Sequence, residues 1–141
     1  MFDKSYEDRL RAWHEFRNTI ETAHDPIQHV IDHYDRAPMV SLYTDPWTPS
    51  TWPNPWELIQ ENQYCEFCKL LGICYSLQLT DMFSQGNFEI HIGIDSEKSN
   101  THYLLYVNEF IIGYKDDTYI HKEKLPSSIL SQQRYPMPPL N

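Results

Sequence analysis

The chain has 141 residues, of which 40% are hydrophobic and 14% aromatic, enough to build a core of its own. Twenty acidic against eleven basic residues give a formal net charge of −9. No Lys/Arg cluster offsets it, which argues against a nucleic-acid-binding surface. The charged opening MFDKSYEDRLRAW is followed by no apolar run of the signal-peptide kind, and no stretch reaches the length of a membrane helix. Three cysteines are an odd count for a disulfide framework, so reduced thiols in a cytoplasmic setting are expected.

Residues 3–23 read as an amphipathic helix. Tyr6, Leu10, Trp13, Phe16 and Ile20 recur at helical spacing, with Asp8, Arg11, Glu15 and Asn18 elsewhere on the wheel. Asp25-Pro26 supplies a cap and a first helical residue for a second helix, whose face is Ile27, Val30, Ile31 and Tyr34 and whose end is near Ala37-Pro38. Met39 to Tyr43 reads as a short strand. Residues 44–55, TDPWTPSTWPNP, hold four prolines and two tryptophans, the pattern of a rigid irregular loop.

The centre of the chain is residues 52–79, which contain all three cysteines. Asn54 is a good N-cap, and Pro55 suits the first helical position because it has no N–H to lose there. After Asn62-Gln63, apolar residues from Tyr64 to Leu79 fall nearly all round a helix, which predicts a helix packed on several sides. Gly72 within it is unfavourable for helix by up to about 1 kcal/mol, so a close neighbour is expected there.

Ser84 to Asn87 read as a turn, followed by strands at Phe88–Ile94, His102–Val107 and Phe110–Tyr114. Phe88, Ile90, Ile92 and Ile94 alternate with Glu89, His91 and Gly93, which predicts one wet face. Asn108-Glu109 is a hairpin turn. Tyr119-Ile120 adds a fourth strand. Pro126 opens a short helix, SSILSQQ, and the end RYPMPPLN reads as extended polyproline. The expected fold class is therefore α+β, with N-terminal helices and a central cysteine-bearing helix packed on an antiparallel sheet of 3–4 strands. One domain is expected, with 1–37 as the N-terminal helical part, 38–125 as the core and 126–141 as short helix and tail.

Helices, a cysteine at the start of a core helix, then antiparallel strands with a histidine opening one: this order resembles the transglutaminase-like branch of the papain-like fold. The resemblance covers about residues 52–117 and implies Cys65 as nucleophile, His102 as base and Asp116 or Asp117 as orienting acid. The chain departs from that pattern in having Asn62-Gln63-Tyr64 where the family has a glycine, and in having no tryptophan after His102. A second resemblance spans the whole chain. The wording of FRNTIETAHDPIQHVIDHY, TDPWTPSTWPNPWELI and YCEFCKLLGICYSLQL is similar to that of small proteins of contractile-tailed cyanophages. It implies a phage origin and carries no functional motif.

Each candidate also has a plainer reading. Cys65 and Cys68 have a metal-ligand spacing, but in an apolar helical run they, with Cys74, are expected as core; nucleophile and metal or redox roles are the alternatives. His29 and His33 flank Asp32 on what reads as a solvated face. His91 and His102 read as strand residues, and Glu57, Glu61, Asp116 and Asp117 as solvated acids. Trp47, Trp52 and Trp56 pin the proline-rich loop or, if exposed, mark a protein interface.

The expected function is a non-enzymatic structural or adaptor protein in the neck or tail of a tailed-phage particle. Its partners would be other virion proteins, with a homo-oligomeric ring as one arrangement, and no nucleic acid or membrane. The expected place is the virion, assembled in the host cytoplasm, with no cofactor and no metal. The expected interface is Trp13, Trp47, Trp52 and the tail residues Tyr135, Met137 and Leu140. The alternative is a cysteine enzyme of transglutaminase or protease type using Cys65, His102 and Asp116.

Overall fold

The structure is a computed structural model that describes residues 1–41 and 44–140. Among these residues, four α-helices precede an antiparallel sheet. They are α1 (Tyr6–Ile20), α2 (Pro26–Tyr34), α3 (Pro55–Glu61) and α4 (Glu66–Gln78). The strands are β1 (Phe88–Asp95), β2 (Thr101–Val107), β3 (Phe110–Ile112), β4 (Tyr119–His121) and β5 (Ile129–Pro136), in the spatial order β4-β3-β2-β1-β5. The class is α+β, with five strands rather than three or four. Of the expected strand at Met39 to Tyr43, Met39 makes an isolated parallel bridge with Tyr64, and residues 42 and 43 lie outside the described residues.

The helix ends follow local chemistry. The Asp25 side chain accepts from the Gln28 N–H, with Pro26 opening α2. At α3 the Asn54 and Glu57 side chains form a reciprocal capping box, and Asn62 ends the helix in the left-handed region at φ 52°. Every residue of α4 except Glu66 and Lys69 is buried. Gly72 meets a close neighbour, as its sequence context predicts: an added Cβ would lie 2.4 Å from Cε1 of Tyr34 on α2. The hydroxyl of Ser76, one turn further along, lies 3.0 Å from the Tyr34 hydroxyl and accepts from Trp13 Nε1 at 2.9 Å. Trp13, at 1% exposure, is thus a core residue and not an interface residue. It has a polar atom on an apolar body, and Ser76 satisfies that atom in the interior.

The expected helix at SSILSQQ is β5 instead. It pairs antiparallel with β1, with a register shift at Ile92/Gly93 that leaves Gln132 unpaired in the ladder. Residues 127–133 carry no helical stripe of their own, and the open edge of β1 offers them a full ladder of hydrogen bonds. Pro136 sits at the end of this edge strand, where its missing donor costs least. Beyond it the Met137 N–H donates to the Phe88 carbonyl at 2.8 Å. The Gln78 amide, on a side chain 6% exposed, donates to the Met137 and Pro138 carbonyls at 3.1 and 3.0 Å. The tail is thus seated on its own core.

The second face of β1 is wet only at Glu89, since His91 and Gly93 are buried. His91 is 5% exposed, stacked on Tyr106 with centroids 3.9 Å apart. Its ring nitrogens lie 2.9 Å from Ser131 Oγ of β5 and 2.8 Å from Glu89 Oε1. A small cluster of Leu104, Ile111 and Ile129 lies apart from the main core, with Tyr106, Tyr114, Ile120 and Leu125 against it. β3 is shorter than expected because Gly113 leaves it at φ 107°, where a Cβ would stand 2.3 Å from the Tyr103 carbonyl oxygen.

Candidate functional site

Three places gather the chemistry-bearing residues. The first is an open cleft of about 530 Å³, lined in part by Asp35, Glu66 and Lys69 on one side and His102, Asp116 and Asp117 on the other. Lys69 Nζ lies 3.8 Å from Asp35 and 4.0 Å from Glu66. Burial, and then the negative charge of Asp117, push the Asp35 carboxyl up, while Lys69 pulls it down. The Asp117 carbonyl accepts from Gln28 Nε2 at 2.6 Å, and Thr118 donates to Gln28 Oε1 at 3.0 Å, so this rim is tied to α2.

His102 opens β2 one residue in, and its ring packs against Tyr114 at 5.5 Å. The structure therefore brings His102 and Asp116 to one cleft, but Cys65 is not among the residues lining it. A nucleophile, a base and an acid from this set are not assembled in that cleft.

The second place is the start of α4. Cys65 is neither inside the helix nor fully buried: it is the N-cap, at φ −109° and ψ 177°, and half-buried. Its sulfur accepts from the Cys68 N–H at 3.4 Å. The neighbouring Cys68 thiol pulls its pKa down, against the effect of burial and with further help from the N–H groups of Thr44, Cys68 and Phe67. Cys68 is 4% exposed; the neighbouring Cys65, and then burial, push its thiol up. Thr44 Oγ1 lies 3.2 Å from the Cys68 sulfur. Cys74, at 0% exposure, is core, and burial pushes its thiol up.

The third place is an aromatic face. Trp47 and Trp56 are 48% and 51% exposed. Trp52 is half-buried between Phe67 and Tyr135, at 5.0 and 5.2 Å, and its Nε1 donates to the Asp45 carbonyl at 3.0 Å. The Tyr135 hydroxyl reaches the Trp47 carbonyl at 3.4 Å. Trp56, on α3, packs edge-on against Trp13 at 5.5 Å and borders a pocket of its own with Leu79, Pro139 and Leu140. The loop is pinned from below by Tyr75, whose hydroxyl donates to the Pro53 carbonyl at 2.7 Å. Of the six expected interface residues, Trp47, Trp52 and Tyr135 are gathered here, Leu140 borders the Trp56 pocket, Met137 is partly buried against the core, and Trp13 is internal.

No family model matches the chain, and no curated protein or solved structure matches it. Among the described residues, no group of three or more His, Cys, Asp or Glu could hold a metal ion, and no helix is long and apolar enough to cross a membrane.

Sequence reasoning missed several polar residues that position these places. Arg9 is 9% exposed and donates to the Ile59 and Gln60 carbonyls, both at 3.0 Å, where α3 ends. Its signal was its spacing, since Arg9, Trp13, Phe16 and Ile20 lie on one helical face. Ser76 and Gln78 stand out in the same way, as polar residues inside a helix that is apolar all round. His33, assigned to a solvated face, is stacked on Phe16 at 3.7 Å, because the N-terminal Phe2 folds over it at 5.1 Å.

Proposed function

We propose that this chain is a non-enzymatic structural or adaptor protein of a tailed-phage particle, in its neck or tail, working through protein–protein contacts. The observation that carries the contact role is the aromatic face. Two large tryptophans stand about half exposed on a loop and helix held in place from beneath. Tryptophan is costly to leave in water and is over-represented at the centres of protein interfaces. Holding the loop before binding also reduces the ordering entropy of association. The phage setting rests on the resemblance of sequence wording, and a ring of copies is one arrangement such a face allows.

The test is mass spectrometry of purified particles from infected cells, comparing the unaltered chain with a Trp47→Ala/Trp56→Ala variant. The expected result is the chain present in fixed proportion to the other virion proteins, and the variant folded but lost from particles by tenfold or more, about the effect of one interface anchor. A chain missing from particles, or a variant incorporated as well as the original, would overturn the proposal.

A further inference from the structure

The contact role makes no use of the paired cysteines at the start of α4, and their arrangement has a chemistry of its own. Cys65 is the N-cap and Cys68 the third helical residue. Helical side chains lean toward the N-terminus, which turns the Cys68 thiol back toward the Cys65 cap. The Cys68 N–H donates to the Cys65 sulfur at 3.4 Å, which holds that sulfur over the first turn of the helix, beside Cys68. They differ in access: Cys65 is half-buried, whereas Cys68 is 4% exposed and covered in part by Thr44. A metal would need further ligands, and no such group occurs among the described residues.

We propose that Cys65 and Cys68 form a dithiol site that exchanges with disulfides, Cys65 attacking from the surface and Cys68 resolving from beneath. The Cys65 thiolate attacks one sulfur of a substrate disulfide. A Cys65–substrate S–S bond forms, the substrate's own S–S bond breaks, and one thiolate leaves. Cys68 gives up its proton to the departing thiolate, attacks the Cys65 sulfur and releases the second substrate thiolate, which takes from water the proton that Cys65 had lost. The balance is one disulfide and two cysteine thiols giving one Cys65–Cys68 disulfide and two substrate thiols. Two electrons pass from the protein to the substrate, and an external dithiol reverses the reaction. The depressed Cys65 thiol supports the attacking role, because the thiolate is the nucleophile. The raised Cys68 thiol keeps the second sulfur protonated until the mixed disulfide forms. This inference goes beyond the contact role and does not depend on it.

The test uses the full reduced chain with glutathione disulfide at neutral pH, acid quenching and peptide mapping by mass spectrometry. The expected product is a Cys65–Cys68 disulfide that dithiothreitol reverses, with Cys74 still a free thiol. Cys68→Ser should accumulate glutathione on Cys65, and Cys65→Ser should slow the reaction of the folded chain by on the order of tenfold or more. If Cys68→Ser does not fold, early quenching of the unaltered chain serves instead, since the mixed disulfide must precede the internal one. A folded chain whose Cys65 does not react, or one that ends as a stable Cys65–glutathione adduct with no internal disulfide, would overturn the proposal.

Discussion

Gly72 shows how one missing side chain sets the distance between two helices. Tyr34 is 1% exposed and its hydroxyl is held by Ser76, so its ring cannot swing away from α4. Any Cβ at position 72 therefore meets a fixed ring edge. The sequence predicts a close neighbour, but not that it is an aromatic side chain. Gly72→Leu should overpack this contact and cost about 1–3 kcal/mol or more, read as a lower urea midpoint. Gly72→Ala gains up to about 1 kcal/mol of helix propensity, which the overpacking should cancel or exceed. Combining Gly72→Ala with Tyr34→Leu should restore the propensity gain. An unchanged midpoint for Gly72→Leu would show that the helices part easily.

At the scale of elements, β5 and the tail are the part that sequence periodicity misassigned. Ile129 is buried and Leu130 is 51% exposed, so the strand has one apolar anchor at its start and mostly polar residues after it. That pattern does not announce a strand; pairing with β1 makes it one. Its continuation supplies the acceptors for Gln78 and covers part of the core with Met137 and Leu140. Deleting residues 134–141 should then cost the folded chain about 3 kcal/mol or more. The buried Gln78 amide alone would lose partners worth about 1–3 kcal/mol, with the apolar burial added to that. Equilibrium urea unfolding measures it, and a loss under about 0.5 kcal/mol, the usual effect of a surface change, would show that the tail does not hold the core in solution.

For the whole molecule, acid stability should be governed in part by His33. Burial, and then the nearby N-terminal amine, His29 and Arg36, push its pKa down to about 4 from 6.5. Its Nε2 is buried without a partner among the described residues. The unfolded chain therefore takes up a proton at this residue below about pH 6.5, while the folded chain does not until about pH 4. Stability is full above pH 6.5 and falls as the solution is acidified through this window. Between pH 7 and pH 5 the loss should be on the order of 2 kcal/mol. His33→Phe keeps the stack on Phe16 and has no proton to bind, so its stability should fall less over the same interval. Equal pH slopes for the two proteins would rule His33 out as the cause.

The sequence by itself determined what depends on neighbours a few residues away. Asp25-Pro26, Asn54-Pro55 and Asn108 fix helix starts and a hairpin through contacts within one turn, and each was legible, whereas Glu57, read as a solvated acid, closes the capping box with Asn54. The continuous burial of α4 was legible because a helix apolar all round leaves no side for water. The irregular course of the proline-rich loop was legible too, because proline cannot donate to a helix or a sheet ladder. Only the tertiary structure decided the rest. β5 exists because β1 has an edge to pair with, and His91 is buried because Ser131 and Tyr106 reach it from other strands. Trp13 is internal because Ser76, far along the chain, accepts its N–H. Cys65 and Cys68 differ because one caps a helix and the other turns beneath it, against Thr44 from the loop. Residue type and spacing set which groups can form such contacts, while burial and hydrogen bonding between distant segments determine which ones do.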